Sequence, residues 1–206
     1  MNETNELGKV TAFVLRRAKH GQPEIVLFRH PYAGIQFPAG TVEPNEAIEA
    51  AAVREAREET GLSSFSNLRS LGSREEPAAA GQATILTTTS VYMRPNAVSP
   101  NWAKLPRGTN IEVLREENDF AQVNYQETDQ LIGPRYVAGQ ILGWVPKSAL
   151  TRIKRRYFYA MDYSGESPDQ WSLVVDENPV TVFWAPVHAL PEIVTPQDEW
   201  VRYLER

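Results

Sequence analysis

β-Branched and aromatic residues crowd into two early runs, "KVTAFVLRR" (9–17) and "EIVLFRH" (24–30), and the Gly and Pro of the intervening "AKHGQP" predict a turn between two strands. The pattern changes after the loop "TVEPN". An Ala- and Glu-rich run from Glu46 to Thr60 has no Gly or Pro, with Asn45 placed as N-cap and Gly61 as the residue that ends it, and it predicts a helix. A strand follows at 65–76 and a small-residue connector at 77–83. From about 83 to 152 short β-like runs, "TILTTTSVYM", "NIEVL", "FAQVNYQ" and "ILGWVP", alternate with polar breaks and predict a small barrel. Long apolar strands return in "RRYFYAMDY" and "PVTVFWAPV". The closing "TPQDEWVRYLER" predicts a terminal helix capped by Thr195, with Pro196 in its first turn and Trp200, Val201 and Leu204 on one face.

The first helix has a conflict in its pattern. At about 100° per residue Ile48, Ala51 and Ala52 share a side, and Glu55 and Glu59 point within roughly 20° of Ile48. The opposite side already carries Glu46, Glu49, Arg54 and Arg57. The apolar stripe therefore runs into carboxylates, and Glu58 joins them near the helix end where the macrodipole disfavours negative charge. A solvated glutamate face is the ordinary reading of such a run, but with the polar side outward Glu55 and Glu59 must turn inward or toward a cleft. Unpaired, they would cost several kcal/mol or take up protons. A divalent cation removes the conflict, and oxygen-only ligands point to Mg²⁺ or Mn²⁺ held jointly with a phosphate-bearing ligand.

Composition narrows the remaining chemistry. The 206 residues are 42% apolar and 23% charged, enough to bury a substantial core. No cysteine is present, so disulfides, thiolate metal sites and a Cys nucleophile are excluded. The net charge of −5 and the scatter of Lys and Arg, apart from "RIKRR" at 152–156, argue against long nucleic acid as a partner. No stretch approaches the roughly 20 apolar residues that span a bilayer, and the amino terminus lacks a basic start and apolar run, so a soluble cytoplasmic protein without a membrane partner is expected.

The segment "GTVEPNEAIEAAAVREAREETGL" (40–62) resembles the signature of the Nudix hydrolases, matching its Gly, Glu, Arg-Glu, Glu-Glu and Gly positions at the family's spacing. The resemblance implies an α/β fold, the Nudix α/β/α sandwich with a mixed sheet, over 1–83 and 153–206. It implies that Gly40 permits a loop turn, that Glu46 and Arg54 pair, and that Glu55, Glu58, Glu59 and the Ala39 carbonyl hold the metal. Ala39 stands where a second Gly is common, and Ala56 is smaller than the usual branched residue. The implied activity is Mg²⁺-dependent hydrolysis of a diphosphate linkage in a nucleoside diphosphate joined to another moiety, with a small nucleotide-type substrate and a homodimer as a further possibility. The alternatives are a non-catalytic nucleotide sensor and an interaction protein working through the insert. Residues 84–152 resemble a bacterial SH3-like module instead, on their strand rhythm and the Gly-Trp-Val before the last strand.

In this family the general base is a box glutamate or an acid from a later loop. Glu58 is the first candidate and Glu166 the distant one, ahead of Asp162, Asp169, Asp176 and Glu177. Each of the loop acids is more simply a solvated turn residue. Arg29 is a candidate contact for a substrate phosphate, although an exposed strand-end Arg is an equal reading. His30 reads as a strand-end histidine without catalytic duty. Trp144 and Tyr125 are candidates for a peptide groove, with barrel core the better place for Trp144.

Overall fold

The computed structural model describes residues 5–18, 21–129, 135–175 and 177–204. Asp176, one of the acids named above, lies outside them. In chain order the elements begin with strands β1 (Leu7–Arg17), β2 (Pro23–His30), β3 (Gly34–Gln36) and β4 (Ala39–Thr41), followed by helix α1 (Ile48–Thr60) and β5 (Phe65–Pro77). Next come β6 (Gln82–Ile85), β7 (Thr89–Tyr92), β8 (Asn101–Leu105), β9 (Asn110–Glu117), β10 (Phe120–Thr128), β11 (Val137–Pro146) and β12 (Leu150–Thr151). The chain then forms β13 (Ile153–Tyr163), β14 (Gln170–Val175), β15 (Asn178–Pro186) and a 3₁₀ helix over Gln197–Tyr203. No described helix is long and apolar enough to cross a membrane.

Two compact units divide the chain, one comprising Gly8–Arg74 with Arg156–Arg206, the other Met1–Leu7 with Glu75–Arg155. The sequence pattern placed the change at 84 and 152. The first of those positions falls inside β6, whose pairing with β9 and β12 assigns it to the all-β unit.

In the helix-bearing unit the strand order is β14-β15-β2-β1-β13-β5, with β3 on β2 and β4 on β1. The inner strands β2, β1 and β13 are covered on both faces, which explains why they read as long apolar runs. Alternation sorts the side chains. Val10, Ala12, Val14, Val26, Phe28, Tyr159 and Met161 pack with Ala51, Ala52 and Ala56 of α1. Phe13, Ile25, Leu27, Phe158 and Ala160 face the other way, onto Phe37, Trp200 and Tyr203.

Two helix expectations need correction. Helix α1 begins at Ile48 rather than Glu46, because Asn45 takes a left-handed φ of 64° and Ala47 becomes the N-cap, without a side-chain cap bond. Its end is as expected: Gly61 adopts φ 73° and its N–H donates to the Arg57 carbonyl at 2.8 Å. The terminal helix is 3₁₀ rather than α, and Pro196, not Thr195, precedes it. A three-residue repeat therefore sets its inner face: Gln197, Tyr203 and the expected Trp200 are buried, while the expected Val201 and Leu204 pack only partly buried against the same core. Packing selects this form, since Tyr203 stacks on Phe158 with ring centroids 3.8 Å apart. Gln197 Oε1 accepts a bond from the Phe37 N–H at 2.7 Å, fastening the segment just ahead of β4.

The all-β unit is a seven-stranded antiparallel sheet of order β12-β6-β9-β10-β11-β7-β8 with its own core, centred on Ile85, Val91, Leu105, Ile111, Val123 and Val145. Trp144 is buried, and Arg115 lies 4.9 Å over its ring. Tyr125 packs partly buried against the same core. Two of the four basic residues in the run are paired with acids: Arg152 with Glu116, and Arg155 with Glu6 and Glu75.

Candidate active site

The site grows from two short pieces of backbone, β4 and the carboxy-terminal half of α1. Strand β4 pairs with β1 at Lys9↔Thr41, Val10↔Gly40 and Thr11↔Ala39, which sets Gly40 opposite the residue whose side chain packs under α1. A Cβ built on Gly40 would overlap the Glu55 carboxylate, its Cδ and both oxygens. Gly40 thus serves by leaving room for a carboxylate against the backbone. It lies in a strand and is not among the positive-φ glycines, so the loop-turn role expected for it is not the one it has.

Arg54 organises the charges around this hollow. Its Nε and Nη2 hold both oxygens of Glu46 at 2.8 and 2.9 Å, and Nη2 also donates to the Thr41 carbonyl at 3.0 Å. Nη1 reaches Glu55 Oε1 at 2.8 Å and Glu58 Oε2 at 3.0 Å. All five N–H donors of the guanidinium are used, and loop, strand and helix are tied to one group. Glu46 in turn accepts from the Glu43 N–H at 2.9 Å, which closes the loop on itself. Glu59 reaches across to β4 and accepts the Ala39 N–H at 2.7 Å.

Burial separates the acids. The Glu55 side chain is 11% exposed and that of Glu58 is 58%. Desolvation pushes the Glu55 carboxyl above the usual range, against the opposing pull of Arg54. The bidentate Arg54 bond holds Glu46 below it. Arg54 itself is raised, first by Glu46. Beside the group, Arg54 and Glu58 border a shallow cavity of about 500 Å³ with Glu49, Ala50, Val53, Arg57 and Leu68.

Ala39, Glu46, Arg54, Glu55, Glu58 and Glu59 are therefore brought together. Among the described residues, however, no three His, Cys, Asp or Glu side chains are grouped as a metal ion would need, because the acids turn to Arg54 and to the Ala39 N–H.

The sequence itself matches a known family. The sequence model of the NUDIX domain matches residues 7–141. The chain belongs to the NUDIX family. Among solved structures, the NUDIX domain of Shewanella oneidensis NrtR, cocrystallised with ADP ribose, is 12% identical, with a TM-score of 0.47 and coverage of 97% of this chain and 86% of that one. Comparison with curated proteins finds no match.

Other expected residues of this NUDIX chain lie away from the box. Glu166 lines a separate cavity of about 1360 Å³ with Arg16, Arg17, Arg69, Asp162 and Tyr163. Arg16 is six residues along β1 from Val10, the partner of Gly40, so roughly 20 Å of strand separates those two residues, and no box residue lines the cavity. Its loop is fastened: Tyr163 donates to the Glu166 carbonyl, Trp184 Nε1 to Ser167, and Arg16 to Asp169. Asp162 is engaged by Asn67 and Arg69. Arg29 shares a face with Ile25 and Leu27, turned from α1, and its guanidinium lies 5.5 Å over Phe183. His30 Nδ1 accepts the Tyr32 N–H. Lys9, which donates to Thr41 Oγ1 at 2.6 Å and lends positive charge to Glu55, was not foreseen. Only the β1–β4 pairing, across 32 residues, brings it there.

Proposed function

We propose that this NUDIX protein is a hydrolase that uses Mg²⁺, or Mn²⁺, to cut a diphosphate linkage in a nucleoside diphosphate joined to another moiety. The observation that carries the reading is the buried Glu55 carboxylate, seated in the hollow at Gly40 with Glu58 and Glu59 beside it on the same helix. The donor set fits a hard cation: it is all oxygen, and Glu55 is short of positive charge even with Arg54 beside it. Glu55, Glu58, Glu59 and the Ala39 carbonyl would hold the ion. When bound it supplies charge neutralisation at the phosphate oxygens and lowers the pKa of a water.

The chain's own residues divide the rest. The Arg54–Glu46 fork keeps the loop and β4 in register with the helix, so that the Ala39 backbone stays beside Glu59. Glu58, the exposed carboxylate, is the best placed to take a proton from the attacking water. Glu166 and Arg29 stand apart from the box and have no part in bond cleavage on this reading. We further assign the all-β unit as an SH3-like module, on its strand count and separate core.

The test is a product assay with Mg²⁺ across ADP-ribose, dinucleoside polyphosphates, nucleotide sugars, coenzyme A and nucleoside triphosphates. One dominant substrate, cut only with a divalent cation present, is expected. Tight binding of a nucleotide with no cleavage of any would replace the hydrolase by a sensor. Mass in solution, measured alongside, decides between monomer and homodimer.

A further inference from the structure

Resting on the metal reading above, we infer that the Nη1 arm of Arg54 is the resident counter-ion of Glu55 and Glu58, and that a divalent cation enters by taking those two carboxylates from it. The two arms of the guanidinium have different partners. Nε and Nη2 hold Glu46 and the Thr41 carbonyl, which belong to the loop and strand. Nη1 alone holds Glu55 and Glu58, which belong to the helix and to the expected ligand set.

Glu55 is nearly buried, and a buried carboxylate without a cation is strongly disfavoured. Arg54 meets that need through Nη1, which turns both carboxylates toward the guanidinium. A guanidinium and a divalent ion on the same two carboxylates repel each other at short range with little water between them, so one gives way. The arm that gives way is Nη1, whose partners among the described residues are these two acids. The Glu46 fork, with two parallel bonds, stays and acts as the pivot. Arg54 then has two tasks: it keeps the loop docked in both states, and it prevents the empty acid cluster from repelling itself apart.

The experiment uses the full chain labelled with ¹⁵N-arginine, with Mg²⁺ binding followed in parallel by calorimetry and the Arg54 signals assigned by their loss in Arg54→Lys. At saturating Mg²⁺ the Arg54 Nη1 protons are expected to exchange with water at least about 10-fold faster than without it, while exchange at Nε and Nη2 changes by less than about 2-fold. Arg16, held by Glu24, Ser167 and Asp169 away from the box, is the internal control and should not respond. Mg²⁺ binding with unchanged Nη1 exchange would overturn the inference and leave the metal reading intact. Release of Nε and Nη2 together with Nη1 would overturn the pivot and with it the inference. Calorimetry that finds no Mg²⁺ binding would overturn both.

Discussion

Gly40→Ala separates catalytic geometry from folding. The three atoms nearest the added Cβ all belong to the carboxyl end of the Glu55 side chain. To regain an ordinary 3.4 Å contact the carboxylate carbon has to retreat by about 1.4 Å. Gly40 has no positive φ, so the alanine itself is unstrained and restricts the unfolded chain, a gain of about 0.5–1 kcal/mol. Against this stands the Arg54 Nη1 bond to Glu55, a charge-assisted bond of about 1.5–3 kcal/mol that the retreat weakens or breaks. The net loss is about 1–2 kcal/mol, and a melting temperature lower by only a few degrees is expected. Activity is far more sensitive, since a displacement near 1 Å at a reacting centre costs about 10²-fold. The assay is kcat/KM with the best substrate of the panel beside a thermal melt and Mg²⁺ calorimetry. A folded Gly40→Ala protein with near-normal kcat/KM would refute the placement of Glu55 in the metal site. Gly143→Ala is the contrast: its Cβ would lie 2.9 Å from the Tyr92 backbone oxygen, so it should lower stability without touching the box.

Glu166→Gln should leave kcat within about 3-fold of wild type, because its cavity contains no box residue, and a loss of about 10²-fold would restore it as general base. The Arg54 bond lowers the folded-state pKa of Glu46, so its stabilisation is complete above the unfolded carboxyl value near ~4.3 and is lost as pH falls through the lowered folded value. Melts of Glu46→Gln should accordingly fall less steeply than wild type below about pH 4, and parallel curves would contradict the pairing. Removing 79–151 through a short Gly/Ser link should give a soluble, Mg²⁺-binding protein, since the Ala78 N–H already donates to the Arg152 carbonyl at 2.8 Å and the chain ends meet there. An insoluble or metal-blind product, read by circular dichroism and calorimetry, would make that segment part of the hydrolase fold.

What the sequence determined by itself is what a single element's periodicity encodes. The spacing of Ile48, Ala51, Ala52, Glu55 and Glu59 along one helix fixes which side each residue takes, and the inward turn of Glu55 was legible before any neighbour was known. Gly61 as helix end and the apolar runs of β1, β2, β13 and β15 were legible for the same reason. Pairings between elements were not. The hollow at Gly40 exists only because β4 lies on β1 in a register that brings residue 40 against residue 55. The Ala39–Glu59 bond and the arrival of Lys9 beside Thr41 depend on that same register. Arg29 and Glu166 were weaker candidates than the box acids in sequence, and only the sheet's alternation and the fastening of the 164–169 loop show where they lie. The last helix shows the limit most directly. A 3.6-residue repeat puts Val201 and Leu204 inward, whereas stacking of Tyr203 on Phe158 and the Gln197 bond to Phe37 select the tighter repeat. For so short a segment the two helical forms differ little in intrinsic energy, so contacts with the rest of the fold decide between them.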